Sequence, residues 1–445
     1  MLSYFIRRLL IVPPTLLLIT FLVFILSRMV PGGPIERTLA EAAVANQEGS
    51  SSNSNSSNLG EEELEDLEET FGLDKPVVVA YLQWLGAWPK ESFITKKEIG
   101  SDKGEKILSD EQEADALEMI LSGTGQLVRV HVEGEQIVSA EFADGSPISK
   151  KGWKYRYEDE SDRQARYLRR NRSVSPEDAP GYKPRVVLYK SKFHGLIQGQ
   201  LGNSILYGDS VFSMILARVP IAAYFGILAA LITYGISLPL GVVKAINHRT
   251  PIDNITSVLI FFGYSIPGFA LGAILLIWLG VNYELFPIFG LTSPDFSTLS
   301  MSEKASDLAR HTVLPLLCYV IGGFAFLTMM MKNNLMDNLS ADYVKTAVSR
   351  GAGFSRAVFG HAFKNSLIPI ATSLGQLITL FVGGSMLIEK VFDIQGFGLL
   401  QYNAVVGLDY PVVMGTLTIS SLLVLVGNIL SDFIIASIDP RIKFK

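Results

Sequence analysis

A single cysteine, Cys318, stands in the 445-residue chain, so no intrachain disulfide braces any part of it and no Cys/His cluster has zinc-site spacing. Cys318 lies in an apolar run and reads as a small buried hydrophobe. Charge is scarce as well: Asp, Glu, Lys and Arg make up 18% of the residues, against about 25% in soluble domains. The five histidines, His131, His194, His248, His311 and His361, are scattered and form no HExxH pattern. GxxxxGK(S/T) and GxSxG are both absent, which excludes the phosphate cradle of a P-loop ATPase and a nucleophile elbow. Active transport by such a chain draws its energy from a partner or from ion coupling. Ion coupling leaves carboxylates within the spans, and few occur there.

What the chain has is apolar length. It is 49% hydrophobic, with a mean hydropathy of +0.32. Windows of about 20 apolar residues, enough to cross roughly 30 Å of hydrocarbon, occur at 9–26, 221–243, 255–279, 313–331, 367–388 and 412–435. Six spans put both termini on one side. With the termini inside, the inner segments hold twelve basic residues (Arg7, Arg8, Lys244, Arg249, Lys332, Lys345, Arg350, Arg356, Lys364, Arg441, Lys443 and Lys445) against Asp253, Asp337, Asp342 and Asp439. That net +8 leaves −13 on the rest of a chain whose total is −5, so the termini are read as cytoplasmic. The first span follows Arg7 and Arg8 as a secretory signal would. Its run is long for one, though, and SRMVPGGP offers no small-x-small cleavage site; it is read as a retained helix, with Pro13 and Pro14 in its first turns.

About 190 residues between the first and second spans differ in composition. Ser51–Asn58 is a low-complexity polar run. EEELEDLEET follows, with Leu64, Leu67 and Phe71 on one helical face; it is a solvated acidic face or an attractor for a cationic partner. Leu127–Phe142 alternates apolar and polar residues around Gly134, which predicts a hairpin, and Arg185–Tyr189 offers it a further strand. WKYRY and RYLRRNR are basic and aromatic, but on the outer side of a membrane they meet no nucleic acid. The expectation is an extracytoplasmic α+β module inserted in an all-α polytopic membrane protein.

Asp342 to Pro369, DYVKTAVSRGAGFSRAVFGHAFKNSLIP, is a basic, helix-compatible segment between two apolar spans. Small residues at Ala347 and Gly351 allow close helix approach, and Gly351 can supply the positive φ that ends a first short helix. An ordinary basic interhelical loop is the plain alternative. The segment resembles the cytoplasmic coupling loop of binding-protein-dependent ABC importer permeases, in the form found in the dipeptide and oligopeptide group. Lys345 and Thr346 stand where the wider superfamily has Glu and Ala, and Pro369 lies further from the glycine than in the sugar permeases; both departures are typical of the peptide group. RRLLIVPPTLLLI at the start, PGGP (Pro31–Pro34), FGLDKPVVVAYLQWL (Phe71–Leu85), GNS (Gly202–Ser204), LFPIFGL (Leu285–Leu291), GYSIPGF (Gly263–Phe269), VIGGFAFLTMMMKN (Val320–Asn333), IEKVFDIQGFGLL (Ile388–Leu400), Asp409-Tyr410-Pro411 and Asp439-Pro440-Arg441 add to the resemblance. It covers roughly residues 1–92 and 192–445 and is strongest to the Yej-type subgroup, associated with oligopeptide and microcin C uptake.

The resemblance implies a type I permease fold: a first transmembrane helix in 1–34, an extracytoplasmic segment 35–215 with the inserted module at about 92–191, and a core 216–445 holding five helices and the coupling loop 334–366. It implies ATPase coupling through Asp342, Tyr343, Lys345, Thr346, Ala347, Gly351, His361, Asn365 and Pro369, and a place for Pro267, Glu389 and Asp409 at the pathway or its gate. Glu389 is placed at the outer end of the fifth span, within reach of water or a headgroup. Pro239, Gly263, Gly322, Gly323, Gly383 and Gly384 would permit kinks and close contacts in the rocking of two bundles. No cofactor is expected on this chain; ATP and Mg belong to two ATPase subunits, which work with a second permease, a soluble binding protein and the lipid bilayer of a bacterial inner membrane. The implied function is the permease half of an ATP-driven importer for peptides. An ion-coupled carrier and a membrane-anchored ligand sensor are the alternatives. Cytoplasmic reporters fused after residue 445 or near Asn338 are expected to be active, and an external reporter near Gly145 likewise; an inactive Gly145 fusion that is inserted in the membrane reverses the orientation.

Overall fold

The computed structural model describes residues 2–29, 68–69, 72–99, 116–170, 174–383 and 386–438; the expectations placed on Pro31–Pro34, Ser51–Asn58 and Asp439–Arg441 lie outside them. The chain divides into two compact units, Met1–Glu36 with Leu201–Lys445, and Arg37–Gln200. The first helix, α1 (Leu2–Met29), starts seven residues before the apolar window, so Pro13 and Pro14 lie in its interior and not in its first turns. Each ring removes one N–H from the ladder, a loss that membrane helices tolerate where other groups re-satisfy the freed carbonyls.

In the second unit, α2 (Val77–Leu85) precedes two antiparallel three-stranded sheets. One has the order β1 (Lys90–Glu98), β6 (Arg185–Lys192), β5 (Trp153–Glu158); the other runs β2 (Ala116–Ile120), β3 (Leu127–Glu133), β4 (Gln136–Phe142). The expected hairpin is β3–β4. Glu133 pairs with Gln136 around a two-residue loop, and Gly134 has φ +62°, the positive value a II′ turn needs at its first loop position. Arg185–Tyr189 does form a strand, but it lies in the middle of the other sheet. The hairpin's third strand is β2, whose ALEMI sequence carries no clean alternation. Met119, Val128, Val130, Phe142, Trp153, Val186 and Leu188 form one shared core between the sheets.

The other face of the β1–β6–β5 sheet is ionic. Glu158 is buried and receives Arg185 Nε at 2.8 Å, Arg156 Nε at 2.8 Å and the guanidinium of Arg166 from α3 (Glu160–Arg170). Glu69, from the acidic run, binds Arg166 at 3.0 Å and Lys96 at 3.2 Å. That carboxylate is therefore spent inside the unit, not offered to a cationic partner. The unit's base is closed by backbone contact: a Cβ on Gly195 would sit 2.3 Å from the amide nitrogen of Gly86, so only glycine fits there. Lys90 pairs with Lys192, which sets the entry and exit strands side by side.

The first unit continues with α4 (Val211–Ile246), α5 (Pro251–Ser265), α6 (Gly268–Leu275) and a π-helical stretch, Leu276–Asn282. Then come α7 (Met301–Ser340), opened by a Ser300/Glu303 capping box, and α8 (Asp342–Ser349). A second π-helical stretch, Arg356–Ala362, leads into α9 (Phe363–Gly383), α10 (Met386–Val391), α11 (Phe397–Val406) and α12 (Tyr410–Ile438). Among the described residues four helices are long and apolar enough to cross a membrane (α1, α4, α7 and α12), or five if the pair Pro251–Ser265 and Gly268–Asn282, bent by 89°, counts as one. The expected third span is that broken pair. Pro267 supplies no N–H and forces Ile266 into extended backbone (φ −98°, ψ 120°). The fifth window, expected as one run to 388, is helical at 367–383 and 386–388; Gly384 lies outside the described residues. The expected boundary at 215 falls inside α4, and Ser204, Ile205 and Leu206 ahead of that helix bond to Asp409. At the far end of the bundle, Asp432 binds Tyr4 Oη at 3.0 Å and Arg8 Nε at 3.1 Å, so the start of α1 lies beside the end of α12.

In the second unit, burial alone would raise the Glu158 carboxyl, but the guanidiniums of Arg185, Arg166 and Arg156 outweigh it and hold its pKa down to about 2. A depressed carboxylate stabilises the fold fully above its unfolded value, near 4.5, and loses that contribution as pH falls toward 2. Glu158→Gln is expected to cost about 3 kcal/mol. Hydrogen exchange of the β5 and β6 amides at neutral pH should accelerate on the order of 100-fold, and the wild type should approach the variant between pH 4.5 and 2.

Candidate functional site

The segment after α7 folds as a platform. Ala341 is extended (φ −70°, ψ 148°) and breaks the long helix from α8. Gly351 ends α8 with φ +91°, its N–H bonded to the Val348 carbonyl (2.9 Å) and the next N–H, of Ala352, to that of Ala347 (3.0 Å). This pair of bonds is the Schellman closure. A Cβ on Gly351 would meet nothing within 4 Å, so conformation, not space, requires the glycine.

The inner face of this platform belongs to the bundle. Val344, Ala357, Val358 and Ala362 are buried with Met331 and Leu335 of α7, Val242 and Ala245 of α4 and Ile370 of α9. Burying Val344 contributes about 2 kcal/mol, enough to hold so short a helix against the core. A polar chain reinforces it: Tyr343 Oη donates to Asn338 Oδ1 (2.6 Å), and Asn338 Nδ2 donates to Ser366 Oγ (3.2 Å). Ser366 in turn donates to the Asn334 and Ala362 carbonyls. The outer face exposes Tyr343, Val348, Phe354 (64%) and Phe359, with Lys345, Arg350, Arg356 and Lys364 also exposed among them. This short segment therefore turns large apolar and basic side chains outward together. Val348, Phe354 and Phe359, which the motif did not single out, are exposed apolar residues, while Ser366, also missed, is fully buried and polar.

The expected coupling residues fall into three groups. Asp342, Tyr343, Lys345, Thr346 and Ala347 share α8 and Gly351 closes it, with Lys345 Nζ 3.2 Å from Asp342 Oδ1 and Thr346 Oγ1 bonded to the Asp342 carbonyl. His361 and Asn365 are exposed on the return segment. Pro369 lies inside α9 and not at a helix boundary.

The expected pathway residues are structural joints. Pro267 stands at the α5–α6 break. Glu389 does not reach water: it is 1% exposed, accepts from Tyr319 Oη (3.1 Å) and from the Leu399 N–H (2.7 Å), and so caps the first turn of α11. Asp409, also 1% exposed, precedes α12 and accepts from Ser204 Oγ, the Ile205 N–H (3.2 Å) and the Val412 N–H (3.5 Å). It thereby joins the GNS and Asp-Tyr-Pro motifs. A cleft of about 540 Å³ opens beside it, lined by Arg218, Asp209, Gln395 and Asn403. One buried carboxylate figured in the sequence only as an acidic charge on an inner segment. Asp253 of α5 is 2% exposed and is held by Lys332 of α7 and Lys244 of α4, residues read only as orientation markers. Among the described residues no group of three or more His, Cys, Asp or Glu is arranged to hold a metal ion.

Residues 237–444, from α4 through α12, match the family model of the binding-protein-dependent transport system inner membrane component. The chain is 38% identical over 266 residues to the peptidoglycan transport system permease protein YejB of Agrobacterium fabrum, covering 59% of this chain and 73% of that one. The inner membrane ABC transporter permease protein YejB of Escherichia coli O157:H7 matches to the same extent. The oligopeptide transport system permease protein AppB of Bacillus subtilis is 34% identical over 262 residues, covering 59% and 81%. The chain belongs to this permease family. It is a non-catalytic, multi-pass inner-membrane component of a binding-protein-dependent transport system.

In this permease the left-handed turn at Gly351 sets a graded expectation. Asn tolerates the left-handed region better than other non-glycine residues, so Gly351→Asn should keep the platform. Gly351→Ala should cost about 1 kcal/mol, and Gly351→Leu should lose the turn. Protease sensitivity of the 342–366 segment in the membrane-inserted protein is expected to rise in that order.

Proposed function

We propose that this permease forms half of an ATP-driven import pathway for peptides or peptide-like solutes, pairing with a second permease and driven through α8 by two ATPase subunits. One observation carries the reading. A short helix, fixed to the bundle by its inner face, presents an apolar and basic outer face, the form a docking surface for a moving partner requires. The names of the relatives, which include oligopeptide and dipeptide permeases, support the cargo class. In this reading α9 completes six spans with both termini cytoplasmic. ATP and Mg are held by the partners, and a soluble binding protein delivers cargo on the outer side. The unit between α1 and α4 lies there and modulates that delivery or covers the outer mouth. Nucleotide-driven rocking of the two bundles would give alternating access, with Pro267, Glu389 and Asp409 as fixed joints beside the path. The buried carboxylates Asp253, Glu389 and Asp409 all take protein donors, which argues against an ion-coupled carrier.

The test is uptake of a radiolabelled tripeptide pool into proteoliposomes holding both permeases and the ATPase subunits. Uptake should require ATP and loaded binding protein. Ala347→Asp, at a half-buried position of α8, should abolish it while leaving the chain inserted, since loss of one well-packed interface anchor costs at least about 2 kcal/mol. A Gly/Ser linker across 92–191 should keep assembly and basal ATPase activity but shift the binding-protein concentration for half-maximal stimulation. ATP-independent uptake would overturn the reading.

A further inference from the structure

Four polar elements converge just above the α8 platform. Lys332 Nζ of α7 grips both carboxylate oxygens of Asp253, at 2.7 and 2.8 Å. Lys244 Nζ, from the end of α4 and fully buried, reaches Asp253 Oδ1 at 3.1 Å and donates to the Asp253 carbonyl (2.9 Å), Thr256 Oγ1 (2.8 Å) and Ser257 Oγ (2.8 Å). The α4–α5 turn closes the ring, with the Arg249 N–H at 3.1 Å and His248 Nδ1 at 3.2 Å from Asp253 Oδ2. Two lysines on one carboxylate are a costly thing to bury. They are not needed to fill space, because Val242, Ala245, Met331 and Leu335 already pack the same region.

The arrangement divides into two links. Lys244 to Asp253 joins α4 to α5, two helices already connected by a short turn. Lys332 to Asp253 is an ionic link that crosses from α5 to α7, spanning 79 residues of chain, beside apolar contacts such as Gly263 with Ile321. α7 is also the helix whose Met331 and Leu335 carry Val344 of α8. A displacement of α8 therefore reaches α7 through apolar contacts and α5 through the Lys332–Asp253 ion pair. Charge pairing of this kind resists sliding, since moving either group leaves a buried charge unpaired, whereas apolar side chains exchange neighbours at little cost.

We infer that Asp253 and Lys332 form a coupling clamp: a pair of positioning residues that makes α5 and its broken continuation α6 follow the α8 platform, so that partner ATP hydrolysis is converted into movement of the bundle. The inference rests on the import reading above and adds to it the residues that transmit the stroke.

Lys332→Met tests it, because it keeps the length and apolar stem of the side chain, removes only the α5–α7 ion pair and leaves Asp253 balanced by Lys244. The readout is the amount of tripeptide imported per ATP hydrolysed in the reconstituted complex, with assembled complex quantified alongside. The clamp predicts that Lys332→Met assembles and hydrolyses ATP but imports about tenfold less per ATP, and that Lys332→Arg, which restores the pair, recovers most of the ratio. An unchanged ratio in Lys332→Met overturns the clamp. So does a loss of uptake that merely tracks loss of assembled complex, which would make the pair a packing feature. If the wild-type complex itself shows no ATP-dependent uptake, the import reading fails instead.

Discussion

A carboxylate shut away from water must be neutralised or hydrogen-bonded, and the first unit is organised around three that are. Asp253, Glu389 and Asp409 are each almost fully buried, and each sits where a helix begins. Asp253 lies in the first turn of α5, Glu389 beneath the first turn of α11, and Asp409 just ahead of α12. Helix starts leave N–H groups without partners and carry a positive dipole end; a fixed anion answers both needs. The long helices need no such help, because their backbone bonds are internal. The joints between them do, and the carboxylates hold those joints.

The second unit applies the same rule differently. Glu158 is buried on a sheet face and balanced by three guanidiniums, with Glu69 tying in Arg166 and Lys96. There the ions join β5, β6, α3 and the segment at Glu69 across one side of a sheet, while an apolar core fills the other. With no disulfide available, this network and that core are what hold the strands together.

How much of this was legible in the sequence depends on range. Gly351 could be read as a left-handed helix stop because its neighbours were helix-compatible and its role is local. The β3–β4 hairpin followed from alternation around Gly134. Pro267 was noted in the GYSIPGF motif, but 255–279 was read as one span, and the 89° bend was not foreseen. The start of α1 was misjudged because hydropathy reports apolar residues and not helix, so the polar turn holding Tyr4 and Arg8 was left out. The order of the β1–β6–β5 sheet and the Asp253 clamp were not legible at all. Their members lie far apart in the chain, and no periodic pattern links a lysine in α7 to an aspartate in α5. Counting those lysines as orientation markers was sound electrostatics, but it said nothing of what they touch.

The contact between Asp432 and the pair Tyr4 and Arg8 bears on how the protein is made. Tyr4 of the first helix is synthesised 428 residues ahead of its polar partner. At a bacterial-range elongation rate of about 5–20 residues per second, α1 waits on the order of 20–90 s for Asp432. Throughout that interval Arg8 has no carboxylate from α12, so the start of α1 stays at the water interface, anchored there by its own charge. Docking of α12 against α1 is then a late event in biogenesis, and the ion pair records its completion.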